Sequence, residues 1–316
     1  MSQPPQTGAI LSLDGAAPEL SYPGLSPQLL ARVKQLWSAA GYDFDSYWRL
    51  AMRSLQGFRA LPRVEAQAST DVDLVFLFDQ CVIWVRALHA AAGAGRRHDT
   101  EGLSAAQWHG LAALSARLTE QLAALRLLAL TDLPMPAMQI ARSISEDVDM
   151  ALVILIRRKL ATRFAECRTA EEASDFWRRH IAGGRAFRNI SERLYSVGID
   201  HSADSDYGKW RKSVLTTLGA AVHSNALHAD LPQRRAENVL LNGDSLHFAT
   251  FRMHELCAFA QLVEPALTDA LRAAAKAEHP ASPLSALAAP MSDILVNQIQ
   301  GLSAPSAAPR QRAKPH

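Results

Sequence analysis

The sequence predicts an all-α protein, a multi-helix bundle of eight or nine mostly antiparallel helices. Three observations lead there. Alanine and leucine dominate a chain of 316 residues that is 48% apolar and 20% charged, and both are strong helix formers. Apolar residues recur at spacings of three and four over most of the chain, the period of one helix face. Runs of β-branched residues bounded by turn signals, which mark strands, are nearly absent.

The elements follow in order. Ser26 caps a first helix with Pro27 at its first position, and Gly41 ends it. Asp43 or Asp45 opens a second through Trp48, Met52 and Leu55. Thr70 starts a third, apolar nearly all round from Val72 to Leu88, which therefore has to be central. The stretch 93–102, with Arg96, Arg97 and His98, reads as an exposed loop beyond it. Ser104 begins a long helix whose stripe is Trp108, Leu111, Leu114, Leu118, Leu122 and Leu125. After Pro134 and Pro136 a helix is expected over 137–166. Thr169 and Glu172 form a capping box for a helix over 169–198, which Gly183 and Gly184 should kink. Asp206 opens the next, and the last long helix runs over 244–277 after Pro232. A short one is expected at 291–300. Short connections favour antiparallel neighbours.

Residues 1–24 hold Pro, Gly and Ser with little periodicity and read as a mobile arm; 303–316, with Arg310, Arg312 and Lys314, reads as a disordered basic tail. The double proline is the natural seam between an N-terminal helical part over 25–133 and a C-terminal bundle over 134–302, and one continuous bundle across it fits the sequence equally well. A net charge of +2 gives no global field for nucleic acid. Three scattered cysteines, Cys81, Cys167 and Cys257, make neither a disulfide framework nor a zinc knuckle. They sit in apolar helical patterns, and they fit a reducing compartment. No basic start with an apolar run opens the chain, and the apolar runs 74–78, 81–85 and 150–156 fall short of the roughly 20 residues a bilayer needs. The expectation is a cytoplasmic protein that does not enter the membrane.

Four places could carry chemistry. Arg142 and Glu146, four apart, share a helix face, and Asp149 follows on the same stripe. Turned inward they would make a polar site between helices, where bundles hold ligands; turned outward they are an ordinary surface pair. Asp79 interrupts the most apolar stretch of the chain and needs a partner or a proton if buried; Arg86 and Arg142 are the candidates. His247 and His254, seven apart, share a face, with Glu255 and Cys257 beside them and His223 and His228 at the end of the preceding helix. Imidazole and thiolate bind metals, but the ligand count and spacing of a metal site are missing, so no metal and no cofactor is expected. Lys209, Trp210, Arg211 and Lys212, with Arg178, Arg179 and His180, interleave aromatic and basic groups as phosphate or RNA binders do. A core tryptophan among solvated charges gives the same pattern.

The stretches "ARSISEDVDMALVIL", "FWRRH" and "WRKSVLTTLGAAVHSN", between 137 and 223, resemble the HEPN-like assemblage of bacterial helical domains. That resemblance implies a helical fold, and it brings in view ribonucleases that carry an arginine, four to six intervening residues and a histidine on one helix. Arg211 and His223 stand farther apart than that. Arg272 and His279 have the spacing but lie outside the resembling segment.

The function expected from the sequence is a helical interaction or regulatory module, homodimeric or bound to another protein through surplus apolar faces such as that of 104–130. The alternatives are a HEPN-like ribonuclease or metal-assisted hydrolase, and a small-ligand sensor with Asp79, Arg142 and Glu146 in a pocket.

Overall fold

The computed structural model describes residues 10–11, 17–55, 64–65, 71–222, 242–278 and 282–303. They form α1 (Pro18–Ser21), α2 (Pro27–Ala39), α3 (Phe44–Leu55), α4 (Val72–His98), α5 (Ala105–Leu130), α6 (Pro134–Ile156), α7 (Arg158–Glu166), α8 (Ala170–His180), α9 (Arg185–Tyr195), α10 (Asp206–Val222), α11 (Asn242–Val263), α12 (Leu267–Ala277) and α13 (Ala288–Ser303). The rest is a 3₁₀ turn at Ser285–Leu287 and one antiparallel pair of two-residue strands, β1 (Ile10–Leu11) and β2 (Val64–Glu65). The fold is all-α. Helices outnumber the expected eight or nine because three long segments each break in two and α1 is extra.

Each break has a local cause or consequence. The expected helix 137–166 starts earlier, with Pro134 in its first turn, and stops at Arg157. There the amide of Gln107 donates to the carbonyl of Leu155 at 2.9 Å, so one carbonyl at the helix end keeps an acceptor role. The expected helix 169–198 breaks at Gly183 and Gly184, both left-handed, with φ of 64° and 76°, a conformation that costs glycine little. The expected helix 244–277 stops at Val263 because Pro265 has no N–H and disfavours helix in Glu264 before it.

The expected loop 93–102 is largely helix. Asp71, not Thr70, caps α4 through Leu74 N–H at 3.1 Å, and the helix continues to His98, ending on left-handed Asp99. Gly95 lets α4 and α5 approach: a Cβ there would lie 2.6 Å from the Trp108 ring. The caps at Ser26, Ser104 and Thr169 form as expected.

Helices α4, α5, α6 and α11 pack on one another in a closed ring, with α12 and α13 covering α4. The seam expected at Pro134 is the start of α6, and buried side chains from both sides of it share one core. A smaller cluster, Met138, Ala141, Leu218, Ala221 and Phe248, ties α6 to α10 and α11. The arm expected over 1–24 is anchored at its end: Tyr22 is fully buried, because its hydroxyl bonds Asp79 at 2.7 Å and its ring packs on Trp48 and Phe76. The tail 304–316 lies outside the described residues. Among the described helices α4 alone is long and apolar enough to cross a membrane, and 72% of its most apolar window is buried inside the protein.

Candidate functional site

Five of the candidate site residues singled out in the sequence come together. Arg142, Glu146 and Asp149 on α6 and Arg211 and Lys212 on α10 line one cleft of about 690 Å³, closed on its far side by the turn between α8 and α9. Helical spacing puts the three α6 residues on one stripe. Arg142 Nε donates to Glu146 Oε1 at 3.1 Å, and its Nη1 donates to the Leu215 carbonyl at 2.6 Å, tying α6 to α10. Both side chains are about one-third exposed, whereas Asp149, one turn deeper, is nearly buried. The left-handed pair Gly183 and Gly184 brings the first turn of α9 against the opening, and Trp177, Ile181, Phe187 and Leu215 make its walls apolar.

The floor is a buried ion-pair network. Asp149 accepts from Arg252 Nη2 at 2.6 Å and from Arg211 Nη2. Arg252 Nη1 donates to Glu255 Oε2 at 2.5 Å and to the Tyr207 hydroxyl at 3.0 Å. Two guanidinium groups and two carboxylates therefore balance. Burial still pushes the Glu255 carboxyl up, against the pull of Arg252. Arg211 also lies over the Phe187 ring, 4.6 Å from its centroid. Two buried donors are left over: Ser145 Oγ and Arg211 Nε have no hydrogen-bond partner among the described residues and no surface open to the cleft. The sequence reading missed the part of Arg252, Tyr207 and His201 in this network. Its one available signal was Arg252, a charge between apolar Phe251 and Met253.

His201 is held between the rings of Phe187, Tyr207 and Phe259, at centroid distances of 4.9, 4.2 and 5.2 Å. Burial, reinforced by Arg252 and Arg211, pushes it down to about 4. Above pH 6.5 it is neutral in both folded and unfolded chains. As pH falls toward 4 only the unfolded chain takes the proton, so stability is lost across that window, by about 3 kcal/mol. Urea unfolding between pH 7 and pH 4 should therefore show a steeper loss in the wild type than in His201→Gln. Equal slopes would mean that His201 is open to protonation when folded. Asp147, pushed up to about 6 by burial, works in the opposite sense but is common to both proteins.

Ser191, His201 and Glu255 are the parts of a nucleophilic triad but not its arrangement. The Ser191 hydroxyl lies 3.2 Å from His201 Nδ1 and gives its own proton to the His201 carbonyl at 2.5 Å. Glu255 is 4.0 Å from Nε2. An imidazole with so low a proton affinity is a poor general base near neutrality.

The other candidates lie elsewhere. Asp79 is fully buried, but its partner is neither Arg142 nor Arg86. Arg126 of α5 donates Nε to Oδ1 at 2.7 Å and Nη2 to Oδ2 at 2.9 Å. Asp79 does not line the cleft, so it does not join Arg142 and Glu146. Trp210 is partly exposed and packs on Phe251, Tyr207 and Phe248 at 5.1, 5.7 and 6.1 Å, beside the cleft rather than in its lining. His223, His228 and His279 fall outside the described residues. The face shared by His247 and His254 runs from solvent into the core: His247 is exposed, while His254 is buried with Nδ1 2.8 Å from the Thr250 carbonyl. Among the described residues no three His, Cys, Asp or Glu side chains gather as metal ligands. Cys81 and Cys257 are buried as expected, but Cys167 sits half-buried at the end of α7.

No family model matches the chain, and no curated protein or solved structure matches it either.

Proposed function

We propose that this chain is a small-molecule-binding protein that takes an organic ligand in the cleft between α6, α10 and the α8–α9 turn. One observation carries this reading: a cleft with apolar walls opens between α6, α10 and the α8–α9 turn over a floor of paired buried charges. Its volume of about 690 Å³ lies in the range of ligand sites, about 300–1,000 Å³. Trp177, Ile181, Phe187 and Leu215 would bury the apolar part of a ligand, and Arg142, Glu146 and Lys212, none of them fully buried, add polar groups to the lining. The surface offered to another protein is less well supported. The apolar stripe of α5, expected to be surplus for a partner, lies between α4 and α6.

A thermal-shift screen of small organic compounds tests the proposal. A ligand specific to the folded state raises Tm, and the rise should be several degrees for compounds that fill the cleft. Thr216→Trp, which places an indole in the cleft from an exposed position on α10, should abolish the shift for those compounds. If no compound raises Tm, or if the shifts survive in Thr216→Trp, the cleft is not a ligand site.

A further inference from the structure

Positive charge is unevenly spread along the chain. The segment 157–193, from the end of α6 through α7, α8 and α9, holds nine arginines and one lysine against five acids. The whole chain has a net charge of only +2, so the remainder is net acidic. Nine of the ten cations are exposed, and Arg193 is half-buried. The acids among them are largely committed. Asp175 takes both Arg178 and Arg179, Glu192 pairs with Arg157 at 3.6 Å, and Glu172 accepts from the backbone N–H groups of Arg168 and Thr169. Arg158, Lys159, Arg163, Arg168 and Arg188 have no ion pair among the described residues.

The fold gathers these cations. Burial and the charges of Arg163, Arg179 and Arg185 push the His180 imidazole down, so guanidinium groups from α7, α8 and α9 share one neighbourhood. Arg185 Nη1 reaches back to the Arg178 carbonyl at 3.0 Å. The band extends past α7 to the end of α4: Arg96 Nη1 lies 3.2 Å from His109 Nδ1, and burial, Arg96 and Arg168 push that imidazole down. Like charges gathered this way repel one another. Phe164 and Phe176, 5.7 Å apart, hold α7 on α8 without them.

We infer that this band, from Arg96 across α7 to the start of α9, is a docking surface for the phosphate backbone of a nucleic acid. None of its cations lines the cleft, so the inference stands apart from any ligand there. A polyanion meets several separated guanidinium groups at once, and the arginine fork fits phosphate oxygens. A lipid surface calls for apolar side chains inserted beside the cations. Of the exposed ones nearby, Trp177 lines the cleft, and Tyr195 and Val197 lie beyond the last of the basic residues. Phosphate contacts carry no sequence information, so binding should be indifferent to base order.

Fluorescence anisotropy of the full chain with a short labelled DNA strand, its duplex and the matching RNA tests this. For four or five phosphate contacts, single-strand binding should weaken about 50- to 100-fold between about 50 and 200 mM salt. Arg163→Glu with Arg188→Glu, both exposed and outside any ion pair, should leave Tm within about 2 °C and weaken binding at least tenfold. Arg32→Glu with Arg49→Glu, on α2 and α3, changes the net charge equally and should weaken it less than twofold. If the wild type binds none of the three probes, or if the two double variants behave alike, the band is not a nucleic-acid surface. Capture by phosphatidylserine vesicles without binding to the oligonucleotides would assign it to a membrane and overturn the inference.

Discussion

Asp79→Ala is expected to lower the unfolding free energy by about 3–5 kcal/mol, the cost of stripping one partner from a buried ion pair. Asp79, Arg126 and Tyr22 are all at 0% exposure, so water cannot replace the lost carboxylate. The guanidinium would keep its charge with both Asp79 bonds gone, and the Tyr22 hydroxyl would lose its acceptor. Burial and the neighbouring Asp79 charge push the Tyr22 hydroxyl up, so it stays a proton donor over the working pH range and cannot compensate by ionising. Against a total stability of about 5–15 kcal/mol, such a loss brings the chain near the point of unfolding. Urea denaturation gives the midpoint, and the soluble yield gives an independent reading. The paired control is Asp79→Leu with Arg126→Met and Tyr22→Phe. Removing all three polar groups together should restore stability to within about 1 kcal/mol of the wild type or exceed it, because the desolvation cost of both charges disappears. A loss below about 1 kcal/mol for Asp79→Ala alone would mean that water reaches the triad.

How far the sequence carried this picture can be read from the same residues. Asp79 announced itself as a lone acid in an apolar helix, but its partner is set by how α4 meets α5, and spacing along one helix does not reveal that. The α5 stripe nevertheless pointed at it. A step of four from Leu122 lands on Arg126, a position passed over when only apolar residues are tallied. Caps at Ser26, Ser104 and Thr169 were legible because a cap is a bond to a residue three positions away. The break at Arg157 was not: no proline or glycine marks it, and the group that meets the Leu155 carbonyl there, Gln107, comes from another helix. The cleft was half legible. Arg142, Glu146 and Asp149 share a stripe by helical period alone, and Arg211 stood out beside an exposed tryptophan. That Gly183 and Gly184 close the cleft, and that Arg252 ties its floor to α11, are facts of tertiary packing.

Arg252→Ala should cost about as much stability as Asp79→Ala, again about 3–5 kcal/mol, but with a second consequence that Asp79→Ala lacks. Arg252 joins Asp149, Glu255 and Tyr207. Without it Glu255 has no cation, and Asp149 is left to Arg211, which holds it from the side of the cleft. The folded fraction of Arg252→Ala should therefore bind cleft ligands more weakly, whereas the folded fraction of Asp79→Ala should bind them as the wild type does. Arg252→Lys separates charge from shape. An ammonium cannot reproduce the fork that spans two carboxylates, so part of the stability should return, by about 1–2 kcal/mol for the regained pairing, without the full ligand affinity. The imidazole nearby offers a readout independent of both. Arg252 is the second cause, after burial, of the low proton affinity of His201, so Arg252→Ala should move the His201 titration upward from about 4, as followed by the ring proton resonances. Arg252→Lys, which keeps a positive charge near the ring, should move it less. An unmoved titration in Arg252→Ala would show that the guanidinium does not act on His201, and the floor of the cleft would then have to be read as two separate pairs rather than one network.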